Sequence, residues 1–359
     1  MRVIERLSYG LSQSARVAWY MGHYMAALRF DKQEERPRPD PTAARAGRRA
    51  LIAALRQLFA EDWRNIEDGI YAMPHDLIGR PDRLLDRSRR FFRDMPEIAA
   101  RRAAREGRAL KPDLPEALYP PYYLQNFHYQ TDGYLSPESA ALYDFQVETL
   151  FSGGADAMRR QALVPLRATL EGHDQRKVKL LDIACGTGRF LSFVKDNYPR
   201  LQVAGLDLSA DYLSEAEKLL EPWGGADLFR ANAESIPLPD ESQDIVTCIF
   251  LFHELPPPVR RTVAREIARV LKPGGTLIFE DSLQTGDTAD YDRVLESFPE
   301  RFHEPYYRSY LGEDLAALFA EAGLTPEETR LAFLAKICVF RKARLNSTGG
   351  MGEDAGSDL

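Results

Sequence analysis

Two glycines and a later aspartate have the types and the spacing of a binding site for a ribose-containing ligand. Gly186 and Gly188 follow a short apolar run, and without a Cβ atom each lets the backbone turn tightly and approach a ligand closely. Asp207 lies 21 residues after Gly186, near the spacing at which an acid binds both ribose hydroxyls in dinucleotide sites. A Gly-x-Gly pair alone is as typical of a plain strand-to-helix turn.

The chain around these residues alternates between apolar runs and helical periodicity, as in a parallel sheet covered by helices. An apolar run at 178–183 precedes the glycines, and a helix beginning near Arg189 would direct free N–H groups at a bound molecule. Further strands are predicted at residues 201–206, 227–230, 245–252, 276–280, 328–334 and 335–341. Helices are predicted at 210–220, 259–271 and 311–322, the second stopped by residues 272–275. The pattern predicts an α/β fold.

The first third of the chain is predicted to be helical and is more basic than the rest. Residues 1–111 hold 23 Lys and Arg against 15 Asp and Glu, whereas the remainder holds 24 against 39. Helices are predicted at 1–30, 42–60 and 81–110, the last with a candidate break at Pro96, and a proline-rich loop lies at 31–41. A run of arginines such as the one in the helix at 81–110 usually forms a solvated helix face. The alternative is that these arginines form a surface for an anionic substrate or a membrane.

An aromatic segment, residues 122–135, stands between the two parts and reads Y-Y-L-Q-N-F-H-Y-Q-T-D-G-Y-L. Its rings either hold helical layers together or form a lid over a pocket. Ser136 is predicted to cap a helix that begins at Pro137. We therefore expect four regions: a helical N-terminal domain at 1–121, a lid and connecting helix at 122–160, the α/β domain at 161–342 and a disordered tail at 343–359.

Composition and charge also predict what the protein lacks. The acidic C-terminal part would repel phosphates, so we expect no nucleic-acid partner. Cys185, Cys248 and Cys338 are far apart and odd in number, which fits neither a disulfide framework nor a zinc site. We expect a cytoplasmic protein without a metal. Because no apolar run reaches about 18 residues and polar residues interrupt the N-terminus, we expect neither a membrane-spanning helix nor a signal peptide.

Four motifs occur together and in order: L-L-D-I-A-C-G-T-G-R-F-L, G-L-D-L-S, A-N-A-E-S-I-P-L-P-D-E-S-Q-D-I-V and R-V-L-K-P-G-G-T-L. With them the chain resembles the class I S-adenosylmethionine-dependent methyltransferases, close to the ubiquinone and menaquinone C-methyltransferases. The resemblance covers about residues 160–342. It implies a Rossmann-like sheet of seven strands, mostly parallel with an antiparallel last strand, and S-adenosylmethionine as the cofactor.

The resemblance implies cofactor contacts at eight matching positions, which are Asp182, Ala184, Gly186, Gly188, Asp207, Leu208, Asn232 and Ala233. Asp182 would order the loop and help hold the methionine amino group, which Ala184 and the two glycines would flank. Asp207 would bind the ribose hydroxyls, with Leu208 packed on the adenine. Ala233 would offer its backbone to that ring. Asn232 replaces the aspartate that is common in the family, and its amide oxygen can still accept from the adenine amino group.

The implied reaction transfers a methyl group to an oxygen or carbon of a small, aromatic or apolar acceptor. Such an acceptor must lose a proton, and His253, at the mouth of the fourth strand, is the best-placed base, with Glu254 beside it. His253 is as compatible with simple packing, and Asp281 is a weaker candidate. Acceptor contacts are expected from the lid, the strand end and a cover at 282–310, at His128, Tyr129, Tyr134, Phe252 and Tyr306.

Two other functions stay open at this stage. A membrane-soluble quinone or isoprenoid acceptor would bring the basic N-terminal helices to a membrane surface. A non-catalytic protein that binds the cofactor or a partner is the other alternative, because a fold does not fix a function. Amide or amino-base methylation lacks support, since F-H-E-L-P-P-P follows the fourth strand in place of an Asn/Asp-Pro-Pro-aromatic motif. The oligomeric state is unknown.

Overall fold

The computed structural model describes residues 2–30, 41–77, 79–108, 110 and 119–344. Its centre is one sheet of seven strands, ordered β3-β2-β1-β4-β5-β7-β6. The strands are β1 (Lys179–Ile183), β2 (Gln202–Asp207), β3 (Asp227–Arg230), β4 (Gln243–Ile249), β5 (Leu271–Ser282), β6 (Leu324–Ala332) and β7 (Ala335–Lys342). Strands β1 to β5 pair in parallel, and β7 runs antiparallel to both of its neighbours. The predicted fold class is confirmed.

Helices cover both faces of this sheet, as the buried central strands β1, β4 and β5 require. They are α1 (Arg2–Ala27), α2 (Pro41–Glu67), α3 (Pro81–Ala104), α4 (Pro137–Leu150), α5 (Ala155–Gln161), α6 (Leu163–Leu170), α7 (Arg189–Asn197), α8 (Ala210–Leu220), α9 (Pro257–Val270), α10 (Asp292–Arg301), α11 (Tyr307–Leu311) and α12 (Leu315–Glu321). Successive residues of β1 point to opposite faces: Leu180 joins the core under α6 and α7, and Leu181 joins the core under α9 and α12.

The N-terminal helices pack directly against the helices of the α/β part. Leu55 and Leu58 of α2 belong to the same buried core as Leu163 of α6. Arg16 of α1 donates to Glu148 Oε1 of α4 at 2.7 Å. Among the described residues, no helix combines the length and the apolarity needed to cross a membrane.

Several predicted boundaries differ from the structure. The fourth strand was expected to reach Phe252, but β4 ends at Ile249, and Phe252–Glu254 form a single 3-10 turn. The turn follows Phe250, whose φ of 57° places it in the left-handed region and breaks the strand. Residues 272–275, expected to stop a helix, belong to β5, since α9 already ends at Val270.

The helix predictions need three further corrections. Pro96 does not break α3, which ends at Ala104 rather than at 110 because Arg105 adopts a left-handed conformation. The helix expected at 311–322 begins only at Leu315, because Asp314 caps the N-terminus of α12, and Leu311 is the last residue of α11. Helix α2 continues to Glu67, beyond the expected end at 60. Ser136 does cap α4 as predicted, accepting from Ser139 N at 3.2 Å.

Some predictions fall on parts of the chain that the structure does not describe. They are most of the proline-rich loop at 31–41, residues 111–118 of the connection before the aromatic segment, and residues 345–359 of the expected tail.

Candidate active site

A glycine loop, residues 184–188, connects β1 to α7 at the carboxyl edge of the sheet. Ala184, Gly186 and Gly188 all have positive φ, at 55°, 54° and 73°. At Gly188 a Cβ would lie 3.1 Å from Ala216 Cβ, so only glycine lets the loop approach α8 so closely. At Gly186 the nearest atom to such a Cβ is Tyr212 Cδ1 at 3.9 Å, which leaves room for a ligand on that side.

Asp207, the last residue of β2, holds this loop in place. Its Oδ2 accepts from Gly186 N at 2.9 Å, and its Oδ1 accepts from Ser209 N at 2.8 Å. Burial raises the pKa of Asp207 to about 6, although these backbone N–H groups favour the ionised form. The Leu208 backbone N–H also favours the ionised form, and two oxygens with four lone pairs can still accept from a ribose hydroxyl. The loop and this acid therefore fit a ribose and a chain attached to it, as S-adenosylmethionine requires, and half-buried Leu208 follows directly.

Asp182 lies in β1, two residues before the glycine loop, and its side chain is hydrogen-bonded to the neighbouring strand β4. Thr247 Oγ1 of β4 donates to Asp182 Oδ1 at 2.6 Å. Burial, with a smaller effect from Asp207, raises the pKa of Asp182 to about 7. The structure thus places Asp182 beneath the loop, where it connects β1 and β4, and its predicted contact with a methionine amino group stays a prediction.

Asn232 and Ala233 follow β3, at the side where an adenine is expected. The Asn232 amide is engaged locally: its Oδ1 accepts from Glu234 N at 2.9 Å and its Nδ2 donates to Glu234 Oε1 at 3.1 Å. The Tyr122 hydroxyl donates to the same Oε1 at 2.8 Å. An adenine amino group would therefore share Asn232 Oδ1 with the Glu234 backbone, through the second lone pair of that oxygen.

The aromatic segment crosses the carboxyl ends of three strands. It begins at Tyr122, beside the residues that follow β3. Near its other end, the backbone oxygen of Tyr134 accepts a hydrogen bond at 2.8 Å from Ser209 Oγ, which follows β2. The Tyr134 hydroxyl then reaches Glu254 Oε1, after β4, at 2.6 Å. The Tyr134 ring also contacts Tyr143 and Tyr212 edge-on, at 6.1 and 5.6 Å between centroids.

His253 is held by a buried acid from the next strand. Its Nδ1 lies 2.6 Å from Asp281 Oδ1, and Asp281 Oδ2 accepts from Phe252 N at 2.7 Å. Asp281 is fully buried, so it positions the imidazole and does not itself reach an acceptor. Burial lowers the pKa of His253, but the charge and the hydrogen bond of Asp281 outweigh this and raise it to about 9.

A second polar group adjoins His253 and includes two of the predicted residues. Glu254 Oε1 lies 3.8 Å from His253 Nε2, and His128 Nε2 lies 3.0 Å from Glu304 Oε1. Burial and then the charge of Glu304 raise the pKa of Glu254 to about 7. Tyr306 stands at the edge of this group, where its hydroxyl accepts from Gln125 Nε2 at 3.1 Å.

Two predicted acceptor residues point elsewhere. Tyr129 packs with Tyr20, Phe91 and other rings of the N-terminal helices, because His128 and Tyr129 both have positive φ and the chain reverses between them. Phe252 is fully buried, edge-on to Phe279 at 5.0 Å within the core under α9 and α12. Neither side chain is brought to the site.

The sequence did not reveal the residues that complete the site. Glu304 was not singled out, and Asp281 was ranked as a weaker base rather than as the partner of His253. Tyr143 and Tyr212, which face the glycine loop and the aromatic segment, were also missed. These residues are far apart in the chain and form no spacing pattern, so the fold alone brings them together.

Comparison with known proteins identifies related sequences. A family model described as a methyltransferase domain matches residues 180–275. The chain is 33% identical to a demethylmenaquinone methyltransferase of Bacillus licheniformis over 162 residues, which is 40% of this chain and 69% of that protein. It is 35% identical to the same enzyme of Thermotoga maritima, over 50% of this chain and 72% of that one. A solved methyltransferase structure from Aquifex aeolicus, 18% identical, covers 58% of this chain and 98% of that one with a TM-score of 0.42.

Proposed function

Because the chain belongs to the class I S-adenosylmethionine-dependent methyltransferases, in the subgroup of the ubiquinone and menaquinone C-methyltransferases, we propose that it methylates an oxygen or carbon atom of a small aromatic or apolar acceptor. S-adenosylmethionine is the methyl donor, and its sulfonium group supplies an already activated methyl. The protein's own residues must hold donor and acceptor in line and remove the acceptor proton.

The observation that carries the proposal is the pairing of His253 with Asp281. A buried carboxylate on Nδ1 fixes the ring and leaves Nε2 as the nitrogen that faces Glu254 and an acceptor. Asp281 is in turn fixed by the backbone N–H groups of Phe252 and Ser282, at 2.7 Å each. An imidazole oriented in this way at the carboxyl end of β4 suits proton transfer from an oxygen or carbon acid once its ring is neutral. Because the pKa of His253 is about 9, turnover should rise with pH up to about that value.

The surroundings of His253 favour a flat or apolar acceptor. The rings of Tyr307 and Tyr310 lie 5.9 and 6.2 Å from the imidazole, both edge-on. Phe298 packs tilted against Tyr307, and Phe298 and Phe302 both contact the His128 ring edge-on. The names of the relatives point to a naphthoquinone-type ring as one member of this class.

A membrane-soluble acceptor is the second candidate, and one feature of α1 favours it. Val3, Leu7 and Leu11 follow one another every fourth residue on a single helix face and are 73%, 61% and 72% exposed. Such a face suits contact with a membrane surface. Co-sedimentation with anionic liposomes tests this membrane contact, and Leu7→Glu should abolish the co-sedimentation.

The three cysteines are all unpaired, which supports the expected cytoplasmic location.

Turnover with a panel of phenols and naphthohydroquinones tests the main proposal. His253→Gln should lower kcat by about 100- to 10,000-fold, the usual contribution of a general base, without changing the affinity for S-adenosylmethionine. Asp281→Asn should lower kcat as well, because the ring loses its orientation. His173→Gln is the matched control, since His173 is exposed on a loop away from the site. Full activity of His253→Gln on every accepted substrate would contradict the proposal.

A further inference from the structure

Three side chains from distant parts of the chain meet beside His253. They are His128 of the aromatic segment, Glu254 after β4 and Glu304 after α10, and one donor atom of each lies within 4.8 Å of the others. We propose that this His128 cluster (His128, Glu254 and Glu304) binds a divalent transition-metal ion, which in turn holds an oxygen of the acceptor. The metal site stands on its own geometry, whereas its role at the acceptor rests on the function proposed above.

Glu304 carries the strongest indication of a missing partner. Its side chain is fully buried, yet in the described part of the chain neither carboxylate oxygen receives a hydrogen bond of good geometry. His128 Nε2 approaches Oε1 to 3.0 Å but leaves Oε2 without any donor. A buried carboxylate left in this state is costly, and buried charges in proteins are normally paired or bound to a metal. A cation between Glu304, Glu254 and His128 removes this cost.

The groups around the cluster behave as supports for such a site. The Tyr134 hydroxyl donates to Glu254 Oε1 at 2.6 Å and fixes the direction of that carboxylate. His128 has a φ of 55°, an unfavourable conformation for a residue other than glycine, and this turn directs its ring to Glu304. Gln125 contacts the neighbour of Glu304, His303 Nε2, at 2.9 Å and so anchors that segment to the aromatic segment.

The donor set indicates the class of metal. One imidazole nitrogen with two carboxylates suits Zn²⁺, Mn²⁺ or Fe²⁺, whereas Mg²⁺ and Ca²⁺ prefer oxygen ligands alone. Three protein ligands leave further positions open, as catalytic metal sites do. An acceptor hydroxyl bound there would lose its proton more readily. Since Glu254 Oε1 is 3.8 Å from His253 Nε2, the proton would be released next to the imidazole, which accepts it when the ring is neutral.

The ligands come from positions 128, 254 and 304, which explains why the sequence predicted no metal. Metal motifs are recognised by short spacings on one helix or loop, and no such spacing joins these three residues. The site exists only where the aromatic segment and the segment before α11 meet over the end of β4.

The test is a metal titration of the full chain after treatment with EDTA. Co²⁺ is followed by its visible absorption and Zn²⁺ by calorimetry, with S-adenosylmethionine binding measured on the same samples. We expect one saturable site per chain. Glu304→Gln and His128→Gln should each weaken metal affinity by at least about 100-fold, because loss of an outer-shell partner alone costs about 10- to 100-fold. The exposed His173→Gln should bind as the parent does.

Thermal stability gives a second readout that does not depend on activity. Metal should raise the Tm of the parent chain and leave the Tm of Glu304→Gln unchanged, since a ligand stabilises only the state that binds it. Without metal, Glu304→Gln should be at least as stable as the parent, because it removes a fully buried charge that receives no hydrogen bond of good geometry. This variant therefore remains folded and informative.

Each outcome has one meaning. A parent chain that binds S-adenosylmethionine but shows no saturable metal binding overturns the metal site and leaves the methyltransferase function intact. Metal binding that survives Glu304→Gln and His128→Gln assigns the metal elsewhere and also overturns the proposal. If S-adenosylmethionine fails to bind while the variants abolish metal binding, the proposed function fails and the metal site stands. An acceptor that contacts Glu304 in the absence of metal would overturn the proposed role of the metal at the acceptor.

Discussion

At the ends of β1 and β2, the polar groups of the candidate cofactor site belong to one loop and to one acid 21 residues later. At the ends of β4 and β5, the polar groups are side chains from four separate segments of the chain. The first region depends on backbone conformation, with three residues of the glycine loop at positive φ. The second depends on buried charge, with Asp281 and Glu304 both almost inaccessible.

This difference between the two regions reflects the different requirements of cofactor binding and acceptor binding. Backbone N–H groups, glycines and a carboxylate can hold a nucleoside, and one loop with the end of the next strand supplies them locally. An acceptor requires a particular shape and a particular proton acceptor, which only tertiary contacts can assemble. The cofactor side should therefore tolerate changes in the aromatic segment, and the acceptor side should tolerate changes in the glycine loop that leave its backbone intact.

The largest effect is expected from the charged network that anchors the cofactor side to the N-terminal helices. Arg189, the first residue after the loop, donates through Nε to Asp156 Oδ1 at 2.9 Å, and Arg16 and Arg159 contact the same carboxylate. Burial opposes ionisation of Asp156, but Arg189 and Arg16 hold its pKa well below its usual range. Asp156→Asn removes the carboxylate that three buried arginines share, although Arg16 keeps Glu148 and Arg189 keeps Asp76, and it should cost about 3–5 kcal/mol in the free energy of unfolding.

Urea denaturation measures this cost, and Asp174→Asn serves as the control. Asp174 pairs with Arg176 on the surface, so its loss should not change stability measurably. Asp156→Asn should also weaken S-adenosylmethionine binding, because Arg189 begins the helix that follows the loop. A change of less than about 1 kcal/mol would mean that the network does not anchor the cofactor side.

An intermediate effect is expected from pH. Binding of ribose hydroxyls favours an ionised Asp207, whose pKa burial raises to about 6 in the free protein. As pH falls through 6 the carboxylate becomes protonated, so S-adenosylmethionine affinity should fall by up to about tenfold per pH unit below 6 and stay constant well above it. Calorimetry across pH 5–8 measures the slope, and Asp207→Asn should remove it.

Other titratable groups face Asp207 and could contribute to the same pH dependence of S-adenosylmethionine binding. They are Asp182, Cys185, Tyr123, Tyr143 and Tyr212. Burial raises the pKa of the thiol and of the three phenols, so these four groups stay neutral throughout the range. Asp182, whose pKa is about 7, is the exception. Asp182→Asn should keep the slope below pH 6; a slope that disappears with Asp182 instead would contradict the assignment.

The smallest effects distinguish two tyrosines of one segment. Tyr134→Phe removes the hydrogen bond to Glu254 and should raise the acceptor KM by about five- to tenfold, which corresponds to about 1–1.4 kcal/mol. Tyr129→Phe lies among the rings of the N-terminal helices and should leave the acceptor KM unchanged. Steady-state kinetics with any accepted acceptor decide this, and equal effects of both changes would show that the segment acts only as packing.

The sequence predicted the fold class because residue patterns along the chain determine it locally, whereas the cofactor contacts of the first region stay predictions. The apolar runs predicted an α/β fold and Ser136 predicted a helix cap, and the structure confirms both. The boundary of β4 failed because Phe250 takes a left-handed conformation, which no residue type at that position requires. Tyr129 and Phe252 were misplaced for the same reason: composition shows that a segment is aromatic, but its backbone decides which rings face the site.

Binding of S-adenosylmethionine to the parent chain and to Asp207→Ala, measured by calorimetry, tests the central claim most directly. Asp207 should contribute two hydrogen bonds from ribose hydroxyls to a charged group, so its loss should cost about 2–4 kcal/mol, or about 30- to 1,000-fold in Kd. His253→Gln, at the acceptor side, should bind as tightly as the parent. Equal binding by Asp207→Ala and the parent, or no binding by the parent at all, would contradict a cofactor site at the ends of β1 and β2.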